Sequence, residues 1–171
     1  MKEIITLYKF PEIAVSKYIK YLSITLIFCF LVYFGIGKLN EFIFPNENLN
    51  ILYDYSYLEH PFLWSILFVA ILPPIFEELA FRGYLFNNLL KLISPKSTII
   101  ATAFLFALIH ISFISIIWIF PFGLFLGYLR KRYNTLWIPM LVHFTHNFVV
   151  LILDYYFYNK ELTALLFENG L

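Results

Sequence analysis

Long uncharged runs separated by short polar patches dominate the chain. Residues 21–37 hold no Asp, Glu, Lys or Arg and are bounded by Lys17, Lys20 and Lys38. A membrane span needs about 20 apolar residues, with a range of about 17–25, so this run predicts a first helix. Gly35-Ile36-Gly37 has the small-x-small form of a signal-peptide cleavage site. The stretch before it is too long and too rich in Phe and Tyr for a leader, and a retained helix is the expectation. Residues 61–76 form a second run, interrupted by Pro73-Pro74 and ended by Glu77-Glu78; a further helical stretch follows over 79–93. Ser94-Pro95 then marks a break.

Residues 97–129 run without a single Asp, Glu, Lys or Arg. At 1.5 Å per residue the run covers about 50 Å, against roughly 60 Å for two full crossings. Two short helices are predicted, near 97–111 and 120–132, with an irregular join near 112–118. Residues 136–153, introduced by Trp137 and Pro139, read as the last span. The mixed tail from Asp154 onward reads as interfacial.

Composition sharpens this pattern into a class. Of 171 residues, 61% are hydrophobic, 22% aromatic and only 13% charged. A soluble domain carries about 25% charged residues, so the polar surface here is too small to cover a water-soluble globule, and disorder is excluded for the same reason. The expectation is an all-α, polytopic integral membrane protein: a helical bundle of about five membrane-associated helices, with the lipid bilayer as its solvent. Lys plus Arg is 12 and Asp plus Glu is 11, so nothing draws the chain to nucleic acid. Cys29, the one cysteine, has no intramolecular partner and reads as a small apolar residue of the first helix.

Charge placement predicts orientation. Lys2, Lys9, Lys17 and Lys20 precede the first run; Arg82, Lys91 and Lys96 follow the second; Arg130-Lys131-Arg132 precede the last. Between them, residues 38–60 hold Lys38 beside Glu41, Glu47, Asp54 and Glu59. The positive-inside rule puts the basic groups and the N-terminus in the cytoplasm and the 38–60 loop outside. Glu77 and Glu78 then lie toward the cytoplasmic side.

Against this background, ionisable residues in or beside the spans stand out, because an intramembrane charge costs about 2.5–3.5 kcal/mol at a helix centre on insertion scales. Glu78 and Arg82, four apart, share a helix face and can neutralise each other. Glu77 points about 100° away, so a structural ion pair at the membrane boundary leaves it unexplained. His110 closes Phe106-Ala-Leu-Ile-His110 inside the long uncharged run, where interhelical hydrogen bonding is its plainest role. His143 and Asn147 again lie four apart on one face. His146 either shares their site or faces a neighbouring helix. Gly123-xxx-Gly127 permits close helix approach without any chemical role, and His60, ahead of Pro61, reads as interfacial.

A carboxylate near a histidine can hold and deprotonate a water for hydrolysis. A His and an Asn on one face can supply donors to a developing oxyanion. The same residues also permit zinc, with Glu77, His110 and His143 as a three-ligand set leaving one open position. Other hydrolase patterns are missing: there is no Gly-x-Ser-x-Gly elbow and no His-Glu-x-x-His. Asp54 and Asp154 both fall outside the predicted spans, so an aspartyl dyad is not expected.

Taken in order, Glu77-Glu78…Arg82, Phe106…His110 and His143…Asn147 resemble the motifs of the CPBP family. That family is also called Abi or CAAX-processing, and it includes glutamic endopeptidases acting on prenylated proteins as well as bacteriocin self-immunity proteins. Phe81-Arg82-Gly83-Tyr84-Leu85, Gly123 to Tyr128, and Leu136-Trp137-Ile138-Pro139 are similar to its flanking text. The resemblance covers about residues 61–155, which divides the chain into an N-terminal segment with the first helix and outside loop (1–60), a protease core (61–155) and a C-terminal tail (156–171). It implies that Glu77 activates water with help from His110, that His143 and Asn147 stabilise the oxyanion, and that Glu78, Arg82 and Phe106 support them. It implies no cofactor, zinc being the disfavoured alternative, and a peptide or protein substrate at the membrane. The chain is shorter than the prenyl-processing members, with fewer flanking helices.

Two other readings use the same residues. A non-catalytic self-immunity or chaperone-like membrane protein would keep the polar cluster for helix packing. A small transporter would use it as a proton relay. An enzyme needs Glu77, His110, His143 and Asn147 to meet at one site, and a scaffold needs them dispersed.

Overall fold

A computed structural model of the chain describes residues 6–44, 50–111 and 113–168, and their only regular elements are helical. Five helices carry the fold: α1 (Val15–Ile43), α2 (Pro61–Leu89), α3 (Pro95–Leu108), α4 (Phe113–Tyr133) and α5 (Trp137–Glu168). All but α3 contain stretches long and apolar enough to cross a membrane. The chain is a polytopic helical integral membrane protein.

Pro73-Pro74 does not interrupt α2 as the sequence suggested. The helix widens to a π-helical stretch over Ile66–Ile71, where the N–H of Leu72 reaches back to Leu67 O. The prolines therefore occupy the first turn of the α-helical segment Leu72–Glu78, where a missing N–H costs least. A second π-helical stretch spans Leu79–Leu85, with Phe86 N–H on Phe81 O. It releases the Arg82 carbonyl from Phe86, its ordinary α-helical partner.

The Ser94-Pro95 break is a helix start. Ser94 Oγ accepts the Ser97 N–H at 3.2 Å and so caps α3. The join between α3 and α4 differs from expectation. It falls at residues 109–112, with Ile111 in the left-handed region at φ 50°; Ser112 lies outside the described residues. Phe113 to Trp118 is already helical, and Pro121 sits inside α4 rather than at its start. In lipid an unpaired backbone is costly, so an apolar run without a strong breaker continues as helix. Close approach of α3 and α4 depends on small residues. A Cβ on Gly123 would come within 3.1 Å of Ala103, and one on Gly127 within 3.1 Å of Ile99.

The core lies where α1, α4 and α5 meet, around Tyr21, Phe122, Leu126, Leu129, Ile138 and Val142. Tyr21 and Tyr133 add a hydroxyl–hydroxyl bond of 2.7 Å. Cys29 is fully buried in α1. Ahead of α1, Leu7 packs against Leu136 and Met140; its carbonyl accepts from Leu136 N at 3.0 Å and from Thr135 Oγ1 at 3.1 Å.

The last helix is longer than predicted. It continues unbroken past Leu153 to Glu168, so the segment read as an interfacial tail extends α5. Asp154, expected outside any span, is buried within α5. Its carboxylate accepts from Tyr33 Oη at 2.8 Å and from Ile51 N at 3.1 Å, tying α1 and the short 3-10 turn Ile51–Tyr55 to α5. Paired in this way, a carboxylate need not end a buried helix. Arg130 also departs from the plain picture of a solvated basic cluster. It is 2% exposed and donates through Nε to the freed Arg82 carbonyl at 2.9 Å and through Nη2 to Asn87 Oδ1 at 2.7 Å.

Candidate active site

Glu78 and Arg82 lie one turn apart on α2 and are both fully buried. Arg82 Nη1 donates to Glu78 Oε1 at 2.9 Å, and Nη2 donates to Gly123 O on α4 at 3.2 Å. The guanidinium also lies 4.2 Å from the Phe106 ring centroid. Glycine at position 123 lets α3 approach, and its carbonyl accepts from Arg82. From α5, His143 Nδ1 donates to the same Glu78 oxygen at 2.9 Å. Glu78 therefore joins three helices by accepting from α2 and α5 while Arg82 reaches α4. A charge so deeply buried is tolerable only when paired in this way.

Glu77 faces differently. Its side chain keeps 27% of its surface exposed, and its Oε2 lies 3.8 Å from His143 Nε2. Oε2 has no hydrogen-bond partner within the protein. At 3.8 Å the two atoms are beyond direct hydrogen-bond distance. His143 stands between the two carboxylates, with Nδ1 on Glu78 and Nε2 toward Glu77.

His110 is exposed at the end of α3. Its Nδ1 donates to Phe106 O at 2.8 Å, which leaves Nε2 as the free ring nitrogen. The Phe106 ring separates the two histidines, with centroids 5.0 Å from His110 and 5.7 Å from His143, both edge-on. Asn147, one turn beyond His143, donates from Nδ2 to Val69 O on α2 at 2.9 Å.

Glu77, Glu78, Arg82 and His143 therefore form one contiguous cluster lined by Phe106, with His110 at its rim and Asn147 one turn along α5. Among the described residues, no three His, Cys, Asp or Glu side chains are grouped closely enough to hold a metal ion. Glu77, His110 and His143 are accordingly not drawn together into a three-ligand group.

Sequence reasoning left two participants out, Val69 and Arg130, and left the place of His146 open. Val69 is a carbonyl acceptor; the signal for it was Pro73, since a helix proline deprives the carbonyl four residues earlier. His146 is 2% exposed and stacks on Trp118 at 5.2 Å, which no spacing rule foretells. Arg130 binds the backbone of Arg82 because a π-turn frees that carbonyl, and π-turns leave little trace in sequence.

Neither a search of curated proteins nor a search of solved structures returned a match. A family model described as Type II CAAX prenyl endopeptidase Rce1-like matches residues 59–149, more than half of the chain. The matched region begins just before α2 and contains Glu77, Glu78, Arg82, His110, His143 and Asn147. With a buried acid–base cluster inside a helical membrane bundle and this family match over the same residues, the chain belongs to the Type II CAAX prenyl endopeptidase Rce1-like family of membrane proteases.

Proposed function

We propose that this protein is an intramembrane endopeptidase that hydrolyses a peptide bond of a membrane-associated protein through a water activated by Glu77. Prenylated CAAX-type C-termini are the substrate class that family membership suggests. The carrying observation is the partly exposed Glu77 side chain, whose buried Oε2 has no hydrogen-bond partner within the protein and lies 3.8 Å from His143 Nε2. A water lodged there contacts a base and a histidine together.

In the first step Glu77 accepts a proton from that water as its oxygen bonds to the scissile carbonyl carbon. His110 assists through Nε2, its Nδ1 being held by Phe106 O. The resulting oxyanion takes hydrogen bonds from His143 and Asn147. Because Nδ1–H of His143 is committed to Glu78, Nε2 can donate only from an imidazolium. Asn147 contributes the amide hydrogen not used by Val69. In the second step the C–N bond breaks and Glu77 passes its proton to the leaving nitrogen.

The test is cleavage of a farnesylated CAAX-type peptide by purified wild type and Glu77→Gln, with thermal stability measured alongside. Hydrolysis should fall by at least the roughly 10²–10⁴-fold expected of a general base, with folding unchanged. Wild-type rates from Glu77→Gln would sink the mechanism and favour a scaffold.

A further inference from the structure

His146 is a buried polar group that this mechanism does not use. It lies among aromatic rings: Trp118 stacks on it at 5.2 Å and 17°, Phe122 lies at 4.5 Å, and Phe28 at 5.9 Å. Its Nε2 is buried without a hydrogen-bond partner, and its Nδ1 lies 3.3 Å from Asn147 Oδ1. Phe122 also meets the His143 ring edge-on at 5.7 Å, so one phenyl group forms a common wall for both histidines.

The hydrogen bonds fix each atom in turn. Val69 O can only accept, so the nitrogen of the Asn147 amide must face it. The amide oxygen then faces His146, which must be the donor, and the proton therefore sits on Nδ1. We propose that His146 is a positioning residue for Asn147: stacked on Trp118 and packed against Phe122, it clamps the amide oxygen so that the second amide hydrogen is aimed at the reaction site. The proposal rests on the reading of Asn147 as an oxyanion donor. A free amide would rotate about its last side-chain bond; clamped at both O and N it is preorganised, and preorganised donors stabilise developing charge most effectively.

Two measurements test this on the full-length protein in detergent. The first is ¹⁵N NMR of histidine-labelled protein, with the His146 signal identified by its loss in His146→Phe. The signal should be that of the Nδ1–H tautomer, and it should lose that character in Asn147→Leu. An Nε2–H tautomer in wild type overturns the proposal without reference to activity.

The second is cleavage of the farnesylated peptide. His146→Phe, which keeps the ring but not the donor, should lower kcat by about 10–100-fold, the scale of a misplaced catalytic group, with KM little changed. His146→Asn, whose amide nitrogen can stand in for Nδ1, should restore much of the rate; His146→Gln, which mimics the other ring nitrogen, should not. In an Asn147→Ala background His146→Phe should cause no further loss. A full additional loss there, or equal rates for His146→Asn and His146→Gln, overturns the proposal. Should His146→Phe not fold, the Asn–Gln comparison makes the same distinction. Wild-type cleavage by Asn147→Ala would remove the oxyanion role itself and the positioning role with it. A normal loss in Asn147→Ala with no effect of His146→Phe would overturn the positioning role alone.

Discussion

The side-chain amide of Asn147 donates to the backbone carbonyl of Val69 at 2.9 Å. In an α-helical register that carbonyl would pair with residue 73, and in a π-helical register with residue 74. Both are proline and have no N–H. The double proline on α2 thus creates an orphan acceptor, and a residue three helices later in the chain fills it. This bond also sets the orientation of Asn147, so a break in one helix helps to build the candidate site on another.

It follows that Asn147→Ala should cost stability as well as activity. The Val69 acceptor is half-buried, and leaving a carbonyl unsatisfied away from water costs about 1–3 kcal/mol. In a Pro73→Ala background the restored backbone N–H can reach Val69 O, so the same substitution should cost less than about 1 kcal/mol, a coupling that a double-mutant cycle reads directly. Thermal unfolding in detergent of the four proteins checks it. Equal costs in both backgrounds would mean that the Val69 contact contributes nothing to stability.

Glu78 should respond differently from Glu77. Glu78→Gln keeps an acceptor for His143 but strands the Arg82 guanidinium, which is fully buried. Removing one member of a buried pair costs about 3–5 kcal/mol, whereas replacing both members with uncharged residues is often neutral. Lower yield and melting temperature are expected from Glu78→Gln, with recovery on adding Arg82→Met. Glu77→Gln should purify normally, because losing an intramembrane charge relieves an insertion cost.

A glutamate-activated water predicts indifference to chelators. Purified protein should keep its cleavage rate in EDTA or 1,10-phenanthroline and should carry no stoichiometric metal. About one zinc per chain, lost together with activity, would instead favour a ligand set built on Glu77, His110 and His143.

Orientation can be checked by cysteine labelling in a Cys29→Ser background. Lys131 is exposed at the end of α4 and Tyr57 is exposed ahead of α2. With basic residues on the cytoplasmic side, Tyr57→Cys should react with a membrane-impermeant maleimide on intact cells, and Lys131→Cys should react only after lysis. The reverse pattern would invert the topology and place the mouth of the site outside.

Sequence alone determined the class of this protein. Uncharged runs of membrane length in a chain with so few charges admit a helical bundle in lipid and little else, because lipid satisfies no backbone polar group. It also marked Glu77, Glu78, Arg82, His110, His143 and Asn147, since polar groups stand out where burying them is costly. The i,i+4 spacing of Glu78 and Arg82 conveyed their pairing, for helix geometry is local. Tertiary structure decided what local rules could not reach. Pro73-Pro74 lies within a continuous α2 because a π-helical stretch precedes it and α5 supplies the missing donor. Arg130 and Asp154 are buried because carbonyls, hydroxyls and amides from other helices meet them. His143 stands between Glu77 and Glu78, and His146 packs against Trp118 and Phe122, only once α2, α4 and α5 have packed. Such contacts depend on side chains far apart in sequence, and no periodicity within one helix encodes them.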